Sequence, residues 1–122
     1  MKNAISWFEI AVNDFQRAKT FYETILNAEM HTMEMGDAQS AFFPADLQNG
    51  IGGCIIKSPN AEPSDKGTMV YLNGGDDLDI PLSRVEKAGG KIVLSKTSIG
   101  ENGFMAYFMD TEGNKVAFHS NK

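Results

Sequence analysis

From Ile5 to Val12 apolar and polar positions alternate, with Phe8, Ile10 and Val12 on one side and Trp7, Glu9 and Ala11 on the other. This period of two predicts a strand with two chemically different faces. Asn13 and Asp14 are suited to cap a helix, and Phe15, Ala18, Phe21, Tyr22, Ile25 and Leu26 then recur at helical spacing. They form one apolar stripe that ends near Asn27. Three more strands are predicted: Met30 to Met35, Ala41 to Phe43 beyond a Gly36–Asp37 turn, and Ile51 to Lys57. In the last of these, Gly52 and Gly53 permit a bulge or a close backbone approach. Ser58 to Lys66 contains two prolines and several polar residues and reads as a linker at the midpoint of the chain.

The second half repeats the order. Thr68 to Asn73 is predicted as a strand, Gly74 to Asp77 as a turn, and Asp77 as a cap for the helix that follows. Leu78, Leu82, Val85 and Ala88 fall on one helical face; Pro81 is tolerated in its first turn, and Gly89–Gly90 stops it. Lys91 to Ser95, Met105 to Met109 and Lys115 to His119 are predicted strands, the last two joined by the Asp110 to Asn114 turn. Superposing the halves places Trp7 on Thr68, 61 residues on (68 − 7), and matches the helix faces at an offset of 63 through Phe15–Leu78, Tyr22–Val85 and Ile25–Ala88. The expected fold class is α+β, with two tandem β-α-β-β-β modules forming a curved mixed sheet around a cleft. Neither half closes a core alone, so the halves must pack together. The expected boundaries are one domain over 1–122, with module one at about 1–58, the linker at about 58–66 and module two at about 67–122.

Composition narrows the function classes. The 122 residues carry a formal charge of −5 with scattered lysines, which argues against a nucleic-acid partner, because phosphate binding needs a concentrated basic face. No apolar run reaches the roughly 20 residues of a membrane span, and Met1 to Ser6 lacks the layout of a secretory signal. Cys54 is the only cysteine, so no intrachain disulfide forms and a cytoplasmic setting is expected.

Three stretches are similar to a known family. Trp7-Phe8-Glu9-Ile10-Ala11-Val12-Asn13-Asp14, followed by Arg17-Ala18 and Phe21-Tyr22, resembles the first strand and helix of vicinal oxygen chelate proteins, the glyoxalase, bleomycin-resistance and dioxygenase superfamily. Val85-Glu86-Lys87-Ala88-Gly89-Gly90-Lys91 resembles its second module, and Phe108-Met109-Asp110-Thr111-Glu112-Gly113-Asn114 its late strand-turn-strand, with Thr111 where a proline is usual. The resemblance implies half-barrel modules around a cleft and a homodimer. It also implies, for metal-dependent members, one metal ligand on each of four strands. Here those positions fall on Trp7, on the Asn49 to Lys57 segment where only the Cys54 thiol is a donor, on Thr68 and on Ala117. Indole and methyl groups do not bind divalent metals and a lone hydroxyl does so poorly, so no metal and no cofactor are expected, nor a family-typical glyoxalase I or extradiol dioxygenase activity.

With the family's register, Trp7, Glu9 and Ala11, Thr68, Val70 and Leu72, and Lys115, Ala117 and His119 should line the cleft. Glu9 reads either as a general acid or base or as a carboxylate solvated or paired with Lys115. Trp7 either stacks on an aromatic ligand or fills the space a metal site takes in relatives. His119 is a proton shuttle, a single ligand or a structural histidine, and His31 is read as structural. Cys54 is read as a buried, inert thiol rather than a nucleophile. The methionines are read mainly as core filling. No Gly-Gly pair has phosphate-loop spacing. The expected function is binding of a small hydrophobic or aromatic molecule, with Trp7, Val70 and Leu72 giving contact area and Glu9 and Thr68 giving polar orientation. One alternative is a metal-independent isomerase or lyase with Glu9 as its acid/base; a third is a metalloenzyme with displaced ligands Glu9, His119 and Cys54.

Overall fold

A computed structural model describes residues 2–122; Met1, at the head of the stretch read for a secretory signal, lies outside the described residues. Module one is built from β1 (Trp7–Ala11), α1 (Phe15–Leu26), β2 (His31–Met35), β3 (Ala38–Phe42) and β4 (Gly52–Lys57). Module two is built from β5 (Tyr71–Asn73), α2 (Asp79–Leu82), β6 (Lys91–Ser98), β7 (Phe104–Met109) and β8 (Lys115–Ser120), with a short 3-10 turn at Gly100–Asn102. The architecture is α+β with tandem modules. Each module forms a four-stranded mixed sheet, ordered β1-β4-β3-β2 in one and β5-β8-β7-β6 in the other. In both, the first and last strands pair in parallel and the rest antiparallel.

α1 forms where the apolar stripe places it. The Asp14 side chain accepts the Arg17 N–H at its N-terminus, and Asn27, left-handed at φ 52°, closes its C-terminus. Its buried face (Ala18, Phe21, Tyr22, Ile25) joins one core with residues of both modules, Ile10, Leu72, Phe108 and Phe118 among them. Phe21 packs on Phe108 with ring centroids 6.0 Å apart. Gly53 answers to the expected close approach, since a Cβ there would run into the Phe8 ring.

The second helix is shorter than its apolar pattern. Only Asp79–Leu82 is α-helical. Beyond it, Arg84 and Val85 donate to the carbonyls three residues back, and Gly90 reaches back to Val85. Pro81 has no N–H to extend a regular ladder. The predicted face is nonetheless buried at Leu78, Leu82 and Val85. Asp77 still receives the Asp79 N–H, and it also pairs with Lys96.

A polar hub joins the modules. Tyr22 donates to Asp110 Oδ2 at 2.6 Å, while Asp110 Oδ1 accepts the N–H groups of Glu112 and Asn114. Asn114 Nδ2 in turn donates to Ala11 O on β1 and to Asp110. Glu112 receives the N–H groups of Asn13 and Asp14 on one oxygen, and Arg17 and Thr111 on the other. Burial would raise the Glu112 pKa, but these hydrogen bonds outweigh it and hold it down to about 2.

Candidate functional site

β1 and β5 are the edge strands at which the two sheets meet, and they are not hydrogen-bonded to one another. A groove of about 910 Å³ opens along this seam, with Trp7 and Glu9 on the β1 side and Thr68, Val70, Tyr71 and Leu72 on the other. Phe43 to Ala45 and Ile51 line it as well. A smaller hollow of about 170 Å³ continues the seam and shares Glu9, Thr68 and Val70 with it; Lys115, Lys66 and Glu62 line its far side.

Strand pairing fixes which residues share a face. In module one the Val12 N–H donates to Ile56 O at 2.9 Å, and in module two the Gly74 N–H donates to His119 O at 2.7 Å. The equivalent strand positions are therefore 62 residues apart (74 − 12), not 61. Met69, rather than Thr68, is the counterpart of Trp7, and Tyr71 the counterpart of Glu9. A one-residue slip sends every side chain of a strand to the opposite face, and this corrects part of the expected site. Leu72, only 6% exposed, belongs to the core, and Val70 packs against it. They meet the groove as its inner wall, and do not share a face with Lys115, Ala117 and His119. Tyr71 and Asn73 do share that face, opposite Ala117 and His119.

Two rows of three residues cross the open faces of the sheets. In module one the row is Glu9, Cys54 and Phe42, in neighbouring register on β1, β4 and β3. In module two it is Tyr71, Ala117 and Tyr107, on β5, β8 and β7. The middle residue of each row is covered. Trp7 stands edge-on to Phe42 at 5.5 Å beside Cys54, and Tyr71 edge-on to Tyr107 at 6.4 Å across Ala117, which has no exposed surface. Ala117 is therefore not the lining residue expected of it. Sequence reasoning missed Tyr71, Tyr107 and Phe42, although alternation outward from Leu72 points to Tyr71.

The remaining expected residues are distributed as follows. Glu9 and Thr68 are exposed into the seam, and Trp7 is 37% exposed at its rim. Glu9 takes part in none of the ion pairs among the described residues; Lys115 lies instead over the Tyr107 ring, 5.7 Å from its centroid. His119 does not border the groove itself but an adjoining hollow that shares Tyr71, Leu72, Asn73 and Gly75 with it, and its Nε2–H donates to Asn102 O at 2.7 Å. The carbonyl can only accept, which fixes the ring tautomer. Burial pushes the Cys54 thiol up, the Glu9 carboxylate adds to the effect, and hydrogen bonds from Ser40 and Trp7 oppose it. Such a thiol is a weak nucleophile. His31 is exposed on β2, as are Met33 and Met35; these two methionines lie on the open face rather than in the core. Among the described residues no three His, Cys, Asp or Glu side chains gather into a group able to hold a metal ion, and no helix is long and apolar enough to cross a membrane.

Comparison with solved structures finds the same fold. A glyoxalase I variant from Zea mays superposes with a TM-score of 0.73 at 23% identity, covering 95% of this chain and 45% of that one. This chain spans less than half the length of that maize enzyme. A glyoxalase-related enzyme from Fulvimarina pelagi gives 0.70 at 13% identity, covering 99% and 89%. A glyoxalase/bleomycin resistance protein from Albidiferax ferrireducens gives 0.69 at 17%, covering 95% and 98%. A search of the curated proteins found no match. The family model matches residues 4–118, nearly the whole chain with both modules and the seam between them, so this protein belongs to the Glyoxalase/Bleomycin resistance protein/Dioxygenase superfamily.

Proposed function

We propose that the seam groove binds a small hydrophobic or aromatic molecule, and does so without the metal centre used by metal-dependent relatives. The observation that carries this reading is the groove itself. Its volume of about 910 Å³ suits a small organic ligand, and its lining is largely apolar, with Glu9 and Thr68 as polar points on the rim. Trp7 offers an indole face at the mouth, and the Val70 and Leu72 side offers aliphatic contact. The donor set supports the metal-free part. The row positions nearest the expected ligands carry a phenol pair over a methyl in module two and a covered thiol in module one. A metal site needs several carboxylate, imidazole or thiolate donors converging on one point, and these residues do not fit one.

Calorimetric titration of metal-stripped protein with planar aromatic compounds tests the reading. Saturable binding that weakens about tenfold or more in Trp7→Ala supports it, since burying an aromatic contact contributes on the order of 1.5–3 kcal/mol. Absence of binding up to millimolar concentrations overturns it. Metal analysis of untagged protein tests the other half, and one ion per groove would reject the metal-free reading.

A second reading, a metal-independent isomerase or lyase, is favoured by one observation: Glu9 borders both hollows of the seam and is exposed to whatever fills them. A carboxylate so placed could take and return a proton. If so, the protein catalyses deuterium exchange into a bound carbonyl compound and Glu9→Gln does not; equal exchange by both removes Glu9 from any mechanism. The family likeness and the exposed open-face residues Met33 and Met35 also support a homodimer, which light scattering checks directly.

A further inference from the structure

The two walls of the groove differ in chemistry, and the difference names a ligand class. Glu9 and Tyr71 are equivalent residues of the two modules, 62 apart (71 − 9), and both border the same groove. Module one sets a carboxylate there; module two sets a phenol. Tyr71 is 49% exposed, and its hydroxyl oxygen lies 3.4 Å from that of Tyr107. Of two hydroxyls, only one donates to the other, so one O–H proton of the pair always remains to be offered outward. With their mutual hydrogen bond given up, both hydroxyls, 3.4 Å apart, reach a single acceptor oxygen set above them. Beside them stands Lys115 Nζ, held over the Tyr107 ring and absent from every ion pair among the described residues. Lys115 lines the smaller hollow that continues the seam, and Tyr107 reaches the groove through its hydroxyl beside that of Tyr71; the hydroxyl pair and the ammonium next to it favour negative charge.

We propose that Tyr71, Tyr107 and Lys115 form an oxyanion station, and that the groove therefore takes an aromatic carboxylate or phenolate, its ionised oxygen at the tyrosine pair and its ring toward Trp7. The inference rests on the aromatic-binding reading above and deepens it. Glu9, on the opposite wall, repels an anion turned the other way round, so the two walls together set the ligand's direction. The pair at Tyr71 and Tyr107 replaces in module two the polar anchor that a metal provides in relatives, from the register positions flanking Ala117.

The test compares 2-naphthoate with its uncharged isostere 2-naphthamide by calorimetry, on wild type, Tyr71→Phe/Tyr107→Phe and Lys115→Met. Circular dichroism and thermal melting confirm that each variant is folded. The expected result is naphthoate bound about tenfold or more tighter than the amide by wild type, as charge-assisted hydrogen bonds require, with the preference lost in the double tyrosine variant and reduced in Lys115→Met while amide affinity stays put. Equal affinity for acid and amide in wild type overturns the oxyanion station and leaves the aromatic-binding reading standing. A preference that survives in the double tyrosine variant also overturns it. Failure of both compounds to bind overturns the reading beneath it as well.

Discussion

Tyr22 and Asp110, 88 residues apart in sequence, meet at 2.6 Å in the buried core, where the Tyr22 hydroxyl donates to the Asp110 carboxylate. The contact ties the helix of module one to the β7–β8 turn of module two. Burial first, and the Asp110 charge next, push the Tyr22 phenol well above its usual range, so it stays a donor. Tyr22→Phe leaves Asp110 with one fewer partner in a dry place. The expected loss is about 1–3 kcal/mol, the usual range for orphaning one member of a buried pair, read as a lower midpoint in urea with an unchanged slope.

Glu112 gives the fold a defined acid sensitivity. Its folded pKa, about 2, lies below the ordinary 4.5. A depressed carboxylate contributes stability that is full above the unfolded value and lost as pH falls through the folded one. Unfolding free energy should therefore fall between pH 4.5 and about 2 from this group. Glu112→Gln should cost about 2–3 kcal/mol at pH 7, because Arg17 and two backbone N–H groups lose a charged acceptor. It should also flatten the curve across that window. Urea titrations at intervals from pH 2 to 7 measure both; an unchanged slope in the variant contradicts the assignment.

Gly53 lies where β4 passes under the Phe8 ring, with no room for a Cβ. Gly53→Ala should destabilise by about 1–3 kcal/mol, the range for forcing extra volume into a packed site, and should shift the Phe8 ring resonances. A melting temperature equal to wild type would show that the ring moves aside freely.

The Cys54 thiol, buried and pushed upward in pKa, should react with a disulfide reagent at pH 8 far more slowly than a free thiol, and at the ordinary rate once guanidinium unfolds the chain. Ligand in the groove should slow it further, since Cys54 lies beside Glu9 and Trp7. Fast reaction in the native state would show the site to be open from behind.

The strands were legible because each carries its own alternation or apolar run, and α1 because its stripe, its Asp14 cap and its Asn27 stop agree. Module two was harder, for a physical reason. β5 has three residues, Tyr71–Asn73, and the Gly74 to Asp77 turn after it allows the extra residue to be counted on either side. Setting the offset at 61 rather than 62 put Val70 and Leu72 on the open face and hid Tyr71. α2 was legible as a buried face but not as hydrogen bonding, since Leu78, Leu82 and Val85 are buried equally well by successive three-residue turns. Trp7 and Glu9 were legible as groove residues because β1 alternates over its whole length. The Tyr71–Tyr107 pair joins two strands that only the register brings together, and no spacing within one strand reveals it.

Trp7, the only tryptophan in the chain, borders the groove at the seam of the two modules and reports on metal-independent binding there. The decisive measurement is Trp7 emission during titration of chelator-treated protein with an aromatic carboxylate that does not absorb in the emission band. Saturable quenching, unchanged when divalent metal is restored, is the predicted result. No response to any aromatic compound, or a response that requires added metal, would contradict the account.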